Sequence, residues 1–238
     1  AEMGQGWEDF NVPIMARDLE ETQSVLERNF GATLVHRAGT WWMDLCGAGA
    51  FNHPALWSML RERIPFYQEV YRSPSPFRPQ VAVLVDEPSK CYVRSDWSAN
   101  AWTMHTVRAQ VAKTGASVGF YSLDDFAAGL VPPCKAYLFA NAFWLSGERL
   151  QAIRQRLERE PAMAIWLFAP GYLGPEGPSV ERASRLTGMA LGVRHGRQGS
   201  EGIGLLEGET WGAPLEIVPR LVVTEGEAQA LGRYRSDG

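Results

Sequence analysis

From Gln80 to Gly188 the chain alternates short, continuous apolar runs with charged amphipathic stretches, and that alternation leaves few folds open. The apolar runs are Gln80–Val85, Ser117–Tyr121, Ala136–Ala140 and Met163–Ala169. Between them the spacing predicts a helix over Ala99–Thr114 closed by Gly115, a short helix from Leu123, and a strongly charged helix over Gly147–Glu160. After the fourth run it predicts a helix over Val180–Thr187, stopped by Gly188. A strand with no polar alternation has to be buried on both faces. Four such strands joined through helices therefore predict a parallel sheet covered on both sides, the α/β class. The tail from Gly199 is Gly-rich, with extended pieces at Leu215–Val218 and Leu221–Thr224, and it ends on the turn sequence Arg235-Ser236-Asp237-Gly238.

Upstream, Ser73–Pro79 (SPSPFRP) reads as a linker, with three prolines in seven residues. It sets off a first block, residues 1–75. There Arg17–Asn29 has helical spacing with Gly31 as its stop signal. Ala32–Arg37 and Thr40–Leu45 hold an extended apolar and aromatic run. A Gly-Ala-Gly loop follows, and Pro54 opens the first turn of a helix reaching Tyr71. The block predicts helix, strand, loop, helix.

Composition narrows the function classes. With 238 residues and 45% hydrophobic content the chain can bury a sizeable core. A net charge of −4 argues against nucleic acid as the main partner. No apolar run approaches the roughly 18–20 residues that span a bilayer. The chain opens on Ala1 without a basic n-region or apolar h-region, which would ordinarily favour a cytoplasmic protein but decides little where the true N-terminus is expected upstream of Ala1. Cys46, Cys91 and Cys134 are odd in number and far apart, so they predict buried free thiols, with neither a disulfide framework nor a zinc site.

No GxGxxG or GxxxxGK[ST] occurs, so neither a dinucleotide nor a P-loop site is signalled. Cys134 sits before a strand and not on an elbow, and no Gly-x-Ser-x-Gly is present. His36, His53, His105 and His195 lack metal-ligand spacing. Two segments remain. Asp86-Glu87-Pro88-Ser89 follows the first α/β strand, where paired acids either bind a ligand at the switch point or cap a turn. Trp41-Trp42-Met43-Asp44 places two indoles and a carboxylate at a strand end, where they either line a sugar pocket or form a buried strand with a capping Asp. The nine tryptophans, with Trp7, Trp41, Trp42 and Trp57 among the first 57 residues, fit carbohydrate or an aromatic core.

Three stretches together resemble glycoside hydrolase family 42 β-galactosidases. The first is LEETQSVLERNFGATLVHRAGTWWMDLCGAGAFNHPALW, similar to the end of the catalytic barrel. The second is VAVLVDEPS with FANAFWLSGERLQAIRQRL and AIWLFAPGYLGPEGPSVERASRLTG, similar to the trimerisation domain of that group. The tail PRLVVTEGEAQALGRY fits the same domain. The resemblance implies the last helix-strand-helix of a (β/α)8 barrel over residues 1–75, its eighth strand at Thr40–Leu45. It implies a flavodoxin-like, class I glutamine amidotransferase-like doubly wound domain over residues 76–238, stopping short of its last strands.

The resemblance further implies a retaining mechanism without cofactor or metal, in which one Glu protonates the leaving oxygen and another attacks the anomeric carbon. Both glutamates are expected upstream of Ala1. Glu2, Glu8 and Asp9 carry no matching motif. Trp41, Trp42 and Asp44 match the end of the eighth strand, where the family lines its sugar subsite. Asp86, Glu87, Phe143 and Trp144 match a region that packs between subunits of a trimer, as contact or pocket-rim residues, although Phe143 and Trp144 equally suit burial beneath the helix near Ser146. The expected partners are a glycoside and further copies of the chain. The other reading is a non-catalytic amidotransferase-like α/β module used for binding or assembly.

Overall fold

The computed structural model describes residues 16–44, 47, 49, 51–73, 76–93, 101–196, 198–204, 210–212, 216–225 and 229–235. Glu2, Trp7, Glu8, Asp9 and Cys46 lie outside the described residues. The chain divides into two compact units, Ala1–Phe77 and Arg78–Gly238.

The first unit is built on two helices, α1 (Leu19–Val35) and α2 (Pro54–Arg72). Asp18 caps α1, its side chain accepting from the Glu21 amide at 2.8 Å. The predicted stop at Gly31 is not used. A glycine inside a helix costs only about 1 kcal/mol against Ala, and Ala32–Val35 continue the turn. The chain leaves the helix at Arg37, whose φ of 51° is left-handed. That strained residue is held by its own guanidinium, which donates to the carbonyls of Tyr71 at 3.0 Å, in the last turn of α2, and of Ser73 at 2.8 Å, just past its end. In α2, Pro54 fills the first turn and His53 Nδ1 accepts from the Ala55 amide at 3.2 Å.

The two helices run parallel. Glu27 pairs with Arg63 at 2.6 Å, Phe30 meets Tyr67 edge-on at 4.5 Å, and Arg37 reaches Tyr71 and Ser73. The partners' numbers rise together, so the chain from His36 to His53 travels back the length of a helix. Described residues 38–44 of that return form no strand, which corrects the expectation for Thr40–Leu45. A strand needs a ladder partner, and none stands beside these residues among those described. Only Thr22 and Leu56 are buried in this unit among the described residues, while Trp41, Met43, Trp57, Ile64 and Phe66 are exposed.

The second unit is an α/β fold around a four-stranded parallel sheet. Its strands are β1 (Val81–Val85), β2 (Val118–Ser122), β3 (Ala136–Phe139) and β4 (Met163–Trp166), in the order β2-β1-β3-β4. All three pairings are parallel. One face carries Ala82, Leu84, Tyr137 and Phe139, packed against Leu123 and Phe126 of α4 (Leu123–Ala127) and Leu150 and Ile153 of α5 (Gly147–Arg159). The opposite face carries Val83, Val118 and Leu138 against Val107, which opens α3 (Val107–Ala112). A π-helical turn, Trp102–Thr106, precedes α3, where a single regular helix was expected.

Covering on both faces reaches only part of the sheet. Trp166 of β4 stacks on Phe139 at 3.9 Å, yet Met163 on the other face is 65% exposed. The strand also ends at Trp166, short of the expected Ala169, because Phe168 and Ala169 take left-handed φ values of 29° and 45°. Next come a hairpin of β5 (Leu173–Gly174) and β6 (Gly177–Pro178), then α6 (Val180–Thr187). Ser179 caps α6, accepting from the Arg182 amide at 3.1 Å, and Gly188 closes it at φ 74°. A strand absent from the sequence reading, β7 (Ala190–Arg194), pairs antiparallel with Arg220–Glu225.

Candidate functional site at the carboxyl edge of the sheet

All four strands end on one edge, and strand order reverses between β1 and β3. In open α/β sheets that reversal opens a crevice beyond the strand ends, where ligands bind. The residues delivered there are Asp86, directly after β1, and Asn141, two residues after β3. Both are essentially inaccessible to solvent.

These residues fill the crevice with their own polar groups. The Asp86 amide donates to Asn141 Oδ1 at 2.7 Å, and Asn141 Nδ2 donates to the Asp86 carbonyl at 2.7 Å. One Asp86 carboxylate oxygen accepts from the Ser89 amide at 3.0 Å, and the other accepts from Arg149 Nη2. The same Arg149 nitrogen lies 2.8 Å from Asp124 on α4. Ser89 Oγ then accepts from the Trp144 amide at 2.8 Å. A buried carboxylate is tolerable only when paired and hydrogen-bonded, and Asp86 is both. Nε and Nη1 of Arg149 are buried without a hydrogen-bond partner among the described residues.

The expected rim residues divide into two kinds. Asp86 and Phe143 lie in the interior, Phe143 against Phe168 at 5.1 Å, and so present no surface. Glu87 is exposed and paired with Lys90 at 2.7 Å. Trp144 is half-buried, and Tyr92 stacks on it with ring centres 5.4 Å apart and planes 1° from parallel. Asn141, Arg149 and Tyr92 were missed from sequence. The signal for Asn141 was present, as a single amide side chain inside the run Phe139-Ala140-Asn141-Ala142-Phe143.

In the first unit, Trp42 is half-buried, packed on Phe51 at 5.2 Å and Trp57 at 6.2 Å. Its neighbour Trp41 is 72% exposed. Asp44 Oδ2 accepts from the Gly49 amide at 2.6 Å, so this carboxylate closes the glycine loop.

Among the described residues the sulfur and imidazole groups do not gather into a reactive centre. Cys91 is exposed and Cys134 half-buried, which corrects the expectation that these thiols are buried. Cys134 lies ahead of β3, at the opposite edge of the sheet, and burial above all pushes its thiol up, Arg156 pulling the other way. His53 caps α2 and His36 packs on Phe77 at 5.4 Å. Among the described residues no group of His, Cys, Asp and Glu is placed to hold a metal ion, and no helix is long and apolar enough to cross a membrane.

No family model and no curated protein matches this chain. A solved structure, the crystal structure of β-galactosidase from Bifidobacterium adolescentis, bears it a weak likeness, with a TM-score of 0.37 at 15% identity over 66% of this chain and 76% of that one.

Proposed function

We propose that this chain is the assembly-side portion of a retaining, β-galactosidase-like glycoside hydrolase. Residues 1–75 then supply the last two helices of the catalytic barrel, and residues 76–238 a flavodoxin-like domain that joins subunits into a trimer. The parent hydrolyses terminal O-glycosidic bonds with two glutamates supplied by other barrel strands. Trp41, Trp42 and Asp44 contribute to the rim of its sugar pocket, and Glu87 and Trp144 to contacts of the α/β domain.

The observation that carries this reading is the filled crevice. Where a doubly wound sheet ordinarily receives its ligand, Asp86, Asn141, Ser89 and Arg149 bond to one another. A domain that closes its own ligand site suits a scaffolding role. The parallel run of α1 and α2 supports the barrel half, because successive helices of a (β/α)8 barrel lie parallel to one another. The sequence motifs supply the family.

The test is made on the complete protein that carries this chain. It is expected to release nitrophenol from a nitrophenyl β-galactoside and to scatter light as a trimer. A parent that turns over no nitrophenyl glycoside overturns the hydrolase reading, and a strict monomer at micromolar concentration removes the assembly role.

A further inference from the structure

Helices α5 and α6 share one core, in which Leu186 joins Leu145, Leu150 and Ile153. Their polar faces leave a groove of about 510 Å³ between them, a volume within the range of small-molecule sites. Gln151, Arg154, Gln155 and Glu158 recur at helical spacing and form the α5 wall. Arg182 and Arg185, three apart on α6, form the other wall together with Glu176 of the β5–β6 turn. The enclosed charge is positive. The Arg182 side chain is 13% exposed, whereas the side chains of Glu158 and Glu176 are 62% and 80% exposed. Arg182 is also held in place, its Nη1 donating to the Gly177 carbonyl at 3.1 Å and its Nη2 to Glu176 at 2.7 Å. Its guanidinium lies over Gly174, where a methyl group would collide with it, so the hairpin is shaped around this cation. The remaining N–H donors of the fork are open. Arg154 is tied to Glu158 in an exposed pair one turn apart, of the kind that contributes little. Arg185 is exposed and has no ion pair or hydrogen bond among the described residues.

We propose that this groove is a binding site for a small organic phosphate. A phosphate group offers tetrahedrally arranged acceptor oxygens, which arginines on two facing walls can share. A lone carboxylate is planar and is satisfied by a single arginine fork. Gln151 and Gln155 add neutral amides for the rest of the ligand, and the groove is larger than an inorganic ion needs. Three arginines gathered in one concavity, in a chain of net charge −4, set up a local field that draws an anion. Arg182 is fixed before ligand arrives, so little ordering entropy is lost on binding. The site stands whether or not the parent is a hydrolase.

The full chain is titrated calorimetrically with glycerol 3-phosphate at low salt. Wild type is expected to bind it more tightly than inorganic phosphate or succinate. Arg182→Gln and Arg185→Gln are each expected to weaken binding about tenfold, the usual worth of a charge-assisted hydrogen bond. Gly174→Ala keeps every charge but pushes the Arg182 fork out of its cradle, and is expected to weaken binding as well. Arg108→Gln, on the helix that covers the other face of the sheet, is expected to change nothing. Thermal melts establish that each variant keeps its fold, and Arg185, exposed and without a partner among the described residues, is the substitution least able to disturb it. Undiminished binding by a folded Arg185→Gln overturns the proposal. So do absence of binding by wild type, succinate or inorganic phosphate bound as tightly as glycerol 3-phosphate, and an equal loss from Arg108→Gln.

Discussion

Asn141 and Asp86 exchange two hydrogen bonds, each 2.7 Å long, across the point where strand order reverses. The side-chain amide of one residue serves both backbone groups of the other. It therefore joins the ends of β1 and β3 as a further rung of the ladder would.

Removing that rung has a definite cost. Asn141→Ala leaves a buried amide and a buried carbonyl of Asp86 without partners, a loss of roughly 2–4 kcal/mol at about 1–3 kcal/mol for each group less relaxation. Arg149→Met, which leaves the Asp86 carboxylate without its cation, is expected to cost about 3–5 kcal/mol. Urea unfolding of the α/β unit measures both. Midpoints within error of wild type would show that the network is incidental.

The far edge of the sheet carries a pH dependence. Burial first, and then the hydrogen bond to Glu160, hold the Tyr137 phenol above the usual tyrosine range, and burial raises Tyr121 likewise. The folded state thus keeps these protons more tightly than the unfolded chain. Their contribution is complete below the ordinary tyrosine value of about 10 and is lost as pH rises through the higher folded values. The melting temperature is expected to fall steeply above that point. Tyr137→Phe removes the partner of the Cys134 amide, costs about 1–2 kcal/mol, and flattens the alkaline fall. An alkaline limb as steep in Tyr137→Phe as in wild type would assign it to other groups.

Thiol reactivity separates the described cysteines. Cys91 is exposed, whereas Cys134 is half-buried with its thiol pushed up by burial. Iodoacetamide at neutral pH, followed by peptide mass spectrometry, is expected to label Cys91 at least about tenfold faster, since the thiolate is the reacting form. Equal rates would contradict the placement of Cys134.

On the hydrolase reading proposed above, the two adjacent indoles are expected to divide their roles. Trp42 packs on Phe51 and Trp57, so Trp42→Ala lowers the melting temperature. Trp41 is the free ring, so Trp41→Ala raises KM by about fivefold or more while sparing stability. A KM unmoved by Trp41→Ala takes that residue out of the sugar pocket.

The α/β unit was readable because buried strands leave continuous apolar runs, and the helix over Val180–Thr187 with its stop at Gly188 stands where the sequence puts it. The first unit was harder. Gly31 is a stop signal by residue type, but the stop is set by Arg37, through bonds to residues 34 and 36 positions later. Thr40–Leu45 has strand composition, yet a strand is a relation between two segments, and composition describes only one. The crevice network escaped for a similar reason. Asp86 was visible as an acid after a strand, while its partners Asn141 and Arg149 come 55 and 63 residues later.

The parallel run of α1 and α2 also fixes how the first unit can be assembled. Antiparallel helices close from a short loop outward, each contact shortening the loop needed for the next. Here the side-chain links span 36 positions from Glu27 to Arg63, 34 from Arg37 to Tyr71 and 36 from Arg37 to Ser73, so no early contact cheapens a later one. Such a pair has no zipper. It forms in one concerted step or on a surface that holds both helices at once, and the exposed rings of Trp41 and Phe66 are where such a surface would be felt first.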